Sequence, residues 1–148
     1  MEKLEFMKKF RPHELCVKEF KYWIVCVRQK QPTLGDVVIL LKRETKNVSE
    51  MLPEEGAEFP EVIKWYEELC REKFGAIKFN YIIMMMKDPF VHYHAFPRYD
   101  KNINLFDVDW EDKNTLINFS STEILEDELL FKIRDYIKTV GECKWKSK

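Results

Sequence analysis

His92 and His94 stand two residues apart in the run Phe90-Val91-His92-Tyr93-His94-Ala95-Phe96, which closes with Pro97-Arg98-Tyr99. Successive side chains of a strand point to opposite faces. The two imidazoles therefore share a face with Phe90 and Phe96, while Val91, Tyr93 and Ala95 take the other. Their Cα atoms would lie about 6.6–6.8 Å apart at the usual strand rise. Two imidazoles at that spacing can hold different oxygens of one phosphate, or share one metal. With an ordinary pKa near 6.5, much of the imidazole is neutral and nucleophilic at neutral pH. Such a ring can attack phosphorus and form a phosphoramidate, dividing one hard displacement into two easier ones. A zinc site would need three or four protein ligands. Only His13, Cys16, Cys26 or scattered acids could complete one around this pair, and none has ligand spacing.

The elements that must position this pair read as an α+β chain. Leu4, Met7 and Phe10 suggest a short helical arm over Met1 to Phe10. Leu15 to Phe20 and Trp23 to Arg28 read as a hairpin, and Asp36 to Arg43 as a strongly apolar strand. A helix starts at Pro53, with Glu54 and Glu55 near its positive end, and keeps helical spacing to Phe74 before Gly75 stops it. Pro60 predicts either a later start or a bend. Ile77 to Met86 and Phe90 to Phe96 form the next hairpin, turned at Lys87-Asp88-Pro89. Residues 100–121 read as irregular. Thr122 can cap a last helix striped by Ile124, Leu125, Leu129, Ile133, Tyr136 and Ile137. The Met84-Met85-Met86 run reads first as core packing, since Met fills irregular gaps, and second as lining for a nucleobase pocket.

Length and composition limit the choices. At 148 residues the chain is long enough for one domain with a sizeable core, and 45% hydrophobic content argues for a packed fold. A net charge of −1 argues against a nucleic-acid or membrane-surface binder, which would carry a basic excess. No apolar run approaches the roughly 18 residues of a membrane span, and Met1 to Phe10 does not read as a secretory signal. Cys16, Cys26, Cys70 and Cys143 form no CxxC, so free thiols in a reducing cytoplasm are the plain expectation. Trp145 and the lysines around it read as a solvated tail.

The histidine run resembles the histidine-triad family of nucleotide hydrolases and transferases, whose signature is three histidines alternating with apolar residues, often followed by Pro-Arg. Set against it, His92 takes the second position, His94 the third and Phe90 the first. Gln31-Pro32-Thr33-Leu34-Gly35-Asp36 before Val37 to Leu41 is similar to the family's turn into a central strand. Lys78-Phe79-Asn80-Tyr81 is similar to the start of the strand that pairs with the histidines. The resemblance spans residues 14–100.

It implies an antiparallel meander of about five strands, a long helix between strands and a C-terminal helix, with residues 1–148 forming one domain, its core at 14–100 and a C-terminal extension over 101–148. It implies His92 as nucleophile on the α-phosphate and His94 as a contact to phosphate oxygens. The backbone carbonyl of Phe90 could still fix the tautomer of His92. Asn80, Phe90, Arg98 and Gln31 are the candidate substrate contacts. Arg98 suits an oxyanion or an ion pair with an acid; Gln31 and Arg28 suit a ribose or phosphate, or plain turn polarity. Several family features are missing. Ile82 to Met86 has no polar side chain, the loop before the histidines is only Lys87-Asp88-Pro89, and Gly35-Asp36 replaces Gly-His. The implied function is hydrolysis or nucleotidyl transfer on a nucleoside polyphosphate, ester or phosphoramidate. The alternatives are a nucleotide-binding module with little turnover and a metal-binding protein. No cofactor is implied beyond magnesium carried by the substrate. The implied partners are a nucleotide and a second copy in a symmetric homodimer, in the cytoplasm.

Overall fold

The computed structural model describes residues 2–113, 123–138 and 143–144. Along the chain come helix α1 (Lys3–Lys9), a single turn α2 (Pro12–Leu15), strands β1 (Cys16–Glu19), β2 (Trp23–Val27) and β3 (Val37–Leu41), and the long helix α3 (Pro53–Phe74). Strands β4 (Lys78–Ile82) and β5 (His92–Arg98), a hairpin of β6 (Ile103–Leu105) and β7 (Val108–Trp110), and helix α4 (Asp127–Ile137) follow. The main sheet has five strands in the order β1-β2-β3-β5-β4, every pairing antiparallel. The expected α+β architecture is present: an antiparallel sheet, a long helix inserted between strands and a C-terminal helix.

β2 and β3 are rich in Val and Ile and buried along their whole length, as expected of central strands covered on both faces. α3 covers one of those faces. Its Phe59 packs 5.0 Å from Trp23 and 4.5 Å from Tyr93 between ring centroids, and Trp23 Nε1 donates to Glu55 O at 2.9 Å. Further along, the buried Tyr66 hydroxyl donates to Gly35 O at 2.7 Å, so helix and turn are tied together. Gly35 sits at φ +96°, and a side chain there would meet the Phe74 ring and Pro97 at 3.2 Å; only glycine suits both conditions. At its other end α3 stops at Gly75 (φ 75°), whose N–H donates to Arg71 O at 3.1 Å. The helix runs through Pro60 without ending. The carbonyl four residues back belongs to Gly56, which is exposed, so water can take the missing bond.

Four expectations need correction. β4 ends at Ile82, and of the methionines beyond it only Met85, at φ 53°, packs against the core: Met84 is 58% and Met86 81% exposed. The segment read as irregular contains the β6–β7 hairpin, closed by Phe106 and Asp107, both at positive φ. That pair matches a primed two-residue turn, which Phe-Asp does not announce. α4 begins at Asp127 rather than near Thr122, which lies outside the described residues; Leu130, Ile133 and Ile137 form its buried stripe. Finally, Cys16 and Cys143 form a disulfide, leaving Cys26 and Cys70 as buried thiols. The spacing hid this because the partners are 127 residues apart. No helix among the described residues is long and apolar enough to cross a membrane.

A crosslink between residues so far apart restricts the unfolded chain strongly. Cys143→Ser is expected to lower unfolding free energy by about 2–4 kcal/mol, measured by urea denaturation without reductant. An intact mass equal to that of the fully reduced chain would contradict the bridge.

Candidate functional site

β5 carries the two histidines, and its register places them. Leu40 pairs with His92 and Val38 with His94, while Ile82 of β4 lies across from His94 and Asn80 from Phe96. Cross-strand partners share a face, so the histidine face is floored by Leu40, Val38 and Ile82. The opposite face carries Tyr93, which packs against Trp23 and Phe59. The alternation read from the sequence is thus realised: one side of β5 serves the core under α3, the other holds the imidazoles.

The His92 and His94 rings lie 5.1 Å apart, nearly edge to face. His92 Nδ1 is 2.7 Å from the carbonyl oxygen of Phe90. A carbonyl only accepts, so this contact sets the proton on Nδ1 and leaves the Nε2 lone pair available. Burial pushes the pKa of His92 down, and Lys3 and Lys9 add to that, while the Phe90 carbonyl and Asp88 act the other way. His94 is pushed down to about 3 by burial, then by the charge of Arg28 and by His92. Both rings are therefore neutral at pH 7, as a nucleophile or a neutral donor requires.

α1 covers the pair. Its Phe6 ring lies 5.3 Å from His92, and the ring of Phe10, just beyond its end, lies 5.7 Å away. His92 is consequently only 3% exposed. The arm is held by Lys3 Nζ donating to Leu41 O at 2.9 Å, by Gln29 Nε2 donating to Lys9 O at 2.7 Å, and by a Lys9–Asp88 ion pair. Asp88, read as a turn residue, is thus also an anchor for the arm. The periodicity of the first ten residues announced a helix but not the surface it would cover.

The remaining candidates divide by what they touch. Phe90 is fully buried against Phe6, at 5.1 Å, just before β5 begins. Asn80 Oδ1 accepts from Arg98 Nη1 at 2.9 Å, and Arg98 makes a two-pronged ion pair with Asp112 through Nε and Nη2 at 2.8 and 2.9 Å. The ion-pair alternative for Arg98 is therefore the one the structure displays, although Asp112 lies in the stretch read as irregular. Gln31 is buried, and its amide is fully engaged within its own turn. Nε2 donates to Arg28 O and Asp36 O, while Oε1 accepts from Gly35 N and Asp36 N. It shapes the approach to β3 and is not brought to the histidines. Cys16 is consumed by its disulfide. Among the described residues no three His, Cys, Asp or Glu side chains are gathered to hold a metal ion.

No protein-family model matches the chain, and no curated protein does either. Solved structures do. A Hit-like protein involved in cell-cycle regulation from Bartonella henselae is 15% identical, covering 90% of this chain and 92% of its own, with a TM-score of 0.65. A hypothetical histidine triad nucleotide-binding protein from Sulfolobus tokodaii strain7 is 20% identical over 83% of each chain, at TM-score 0.59. A zinc-bound histidine triad family protein from Mycobacterium smegmatis is 17% identical over 82% of each, at TM-score 0.60. The chain has the histidine-triad fold. The zinc of the mycobacterial protein has no evident counterpart set here, since two imidazoles lack a third donor among the described residues.

Phe90, whose carbonyl meets His92, is set by its charged surroundings. Its ring lies 5.1 Å from Lys3 Nζ and 5.6 Å from Lys46 Nζ, an arrangement that suits an aromatic face and disfavours a protonated imidazole. Phe90→His is therefore expected to lower stability by about 1–3 kcal/mol, the cost of a buried polar group without a partner. A thermal melt of the variant tests this; an unchanged melting temperature would contradict this account of Phe90.

The depressed histidines also set a pH dependence. A histidine whose folded pKa lies below its unfolded value contributes stability that is present above about 6.5 and is lost as pH falls towards the folded value. For His94 the window runs from about 6.5 down to about 3. Urea denaturation is expected to show lower stability at about pH 5 than at about pH 7, above the range where most carboxylates titrate. His94→Gln should reduce the difference, and an unchanged difference would contradict the assignment.

Proposed function

We propose that this chain binds a nucleotide and hydrolyses or transfers it through a covalent nucleotidyl-histidine at His92. The observation that carries the reading is the 2.7 Å contact between His92 Nδ1 and Phe90 O, with the neutral His94 ring 5.1 Å away. It lies on a fold shared with histidine triad proteins. In the proposed first step the Nε2 lone pair attacks the α-phosphorus, a P–N bond forms, and the bond to the leaving oxygen or nitrogen breaks with its electron pair, a leaving nitrogen taking a proton from solvent. His94 donates to a phosphate oxygen as charge develops there. Water, or another acceptor, then attacks the same phosphorus and returns the electron pair to Nε2. The substrate class is a nucleoside polyphosphate, ester or phosphoramidate. Asn80 and Arg98 would serve it by shaping the far end of the face.

Access sets the condition for this chemistry. With Phe6 and Phe10 against His92, a phosphorus atom reaches Nε2 only after α1 shifts. The same occlusion supports the second reading, a nucleotide-binding module with little turnover. A symmetric homodimer is part of the proposal, for which β4, at one edge of the sheet among the described residues, is the candidate strand. The cytoplasmic placement loses one of its arguments, since two of the cysteines are bridged.

Intact-mass analysis after incubation with a reactive nucleotide analogue tests the reading. The expected result is one nucleotidyl adduct on His92, absent in His92→Ala, and formed severalfold faster in Phe10→Ala, where the cover is thinned. Hydrolysis by purified His92→Ala at the wild-type rate would remove His92 as nucleophile.

A further inference from the structure

Asp88 stands in the turn Lys87-Asp88-Pro89, just before Phe90 and the histidine strand. Its side chain is partly buried, and Lys9 Nζ donates to its Oδ1. Among the described residues the carboxyl group makes no other hydrogen bond. Lys9 directly precedes Phe10, whose ring lies 5.7 Å from His92, so the ion pair sits beside the part of the cover that Phe10 provides. The negative charge of Asp88 is felt by both imidazoles, and among the described residues no other carboxylate acts on either.

Positive charge dominates the rest of the surroundings. From α1, Lys3 and Lys9 both act on His92. Arg28, after β2, acts on His94. In the loop after β3, Lys46 lies over the Phe90 ring, while the charge of Glu44 acts on Lys3. Attack on phosphorus turns the neutral His92 ring into a cation. Nε2 gains the bond to phosphorus while Nδ1 keeps the proton shared with the Phe90 carbonyl, so the ring carries one unit of positive charge. Burial and the ammonium groups, which keep the resting ring neutral, oppose that charge. The phosphate is negative before and after the transfer, so its repulsion from a nearby carboxylate changes little across the step. The attraction between carboxylate and ring exists only once the ring is charged, which makes it an interaction that favours the reaction itself.

Resting on the reading of His92 as the attacking group, we infer that Asp88 is a positioning residue for that step, the counter-charge of the cationic ring formed when His92 Nε2 bonds to phosphorus. Lys9 holds this charge while the site is covered. A shift that lifts Phe10 from His92 carries Lys9 with it, so the carboxylate loses its partner as the substrate is admitted.

The test is single-turnover formation of the nucleotidyl adduct on the full chain, followed by intact mass over a range of adenosine 5′-phosphorimidazolide concentrations. The P–N bond to the departing imidazole breaks with its electron pair, and that imidazole takes a proton from solvent. Asp88→Asn is expected to lower the maximal rate by about tenfold, the order of magnitude for one unit charge near a protein surface, without raising the half-saturating concentration. Asp88→Glu keeps the charge and should recover most of the rate. Lys9→Gln breaks the same ion pair and removes an ammonium group, so its maximal rate should not fall. A carboxylate that served only to fasten the arm would predict faster adduct formation in both Asp88→Asn and Lys9→Gln. A maximal rate in Asp88→Asn equal to or above that of the wild type therefore overturns the inference while His92 keeps its role. Equal slowing in Asp88→Asn and Lys9→Gln overturns it as well, and so does an Asp88→Glu variant as slow as Asp88→Asn. Should Asp88→Asn fail to fold by thermal melting, Asp88→Ser carries the same comparison. A wild type that forms no adduct on His92 removes the nucleophile reading and the inference together.

Discussion

The site depends on a short contact inside one strand entry: the Phe90 carbonyl against His92 Nδ1. A side-chain proton on Nδ1 is what makes Nε2 a lone-pair donor, and a backbone acceptor supplies that orientation without help from the Phe90 side chain. The carbonyl can do this because β5 is held rigidly. β3 and β4 pair with it on either side, and Leu41 N and Val91 N are bonded to Val91 O and Thr45 O just before the strand begins. The side chain at position 90 is thus free to do something else, and here its apolar ring joins Phe6 and sits beside two ammonium groups.

Period-2 alternation made much of the fold legible. Val37 to Leu41 and the histidine run could be read as strands because their side chains must face two different environments, and the helix from Pro53 to Gly75 announced both its ends. The pairings of β2 with β3 and of β4 with β5 were also foreshadowed, through the turn at Gly35 and the hairpin at Asp88, but a meander would have set β4 beside β3, where β5 stands. Two of the missed features share a cause: they turn on contacts distant in sequence. Nothing local to Cys16 or Cys143 marks them as partners, and nothing local to Asp112 says that it will meet Arg98. The Met84 to Met86 run shows the opposite failure. Its local apolarity suggested core, but β4 ends at Ile82 and the backbone turns through Met85 at positive φ, carrying its two neighbours outwards.

At the site, residue types were more legible than roles. The imidazole pair was evident because two polar rings on an apolar face need a reason. Gln31 and Arg28 flank the same turn and carry similar polarity, so only geometry separates them: the Gln31 amide is filled by four backbone contacts, whereas the Arg28 guanidinium extends over Phe96. The distinction follows from reach. A short amide folds back on the turn, while a long side chain crosses it.

Burial does two opposed things to His92. It removes water, which favours the neutral ring and strengthens every electrostatic contact that a developing phosphate charge would meet. It also closes the path by which a reactant could arrive. α1 produces both effects, and it is fastened at points of unequal strength. Phe6 is fully buried and resists removal, whereas the Lys9–Asp88 pair is partly exposed, where ion pairs contribute little. The C-terminal part of the arm, with Phe10, is therefore the cheaper part to displace. Arg11, at φ 50° immediately after it, is where the backbone changes direction, so a shift there would thin the cover over His92 on the Phe10 side while Phe6 still packs against Phe90 and His92.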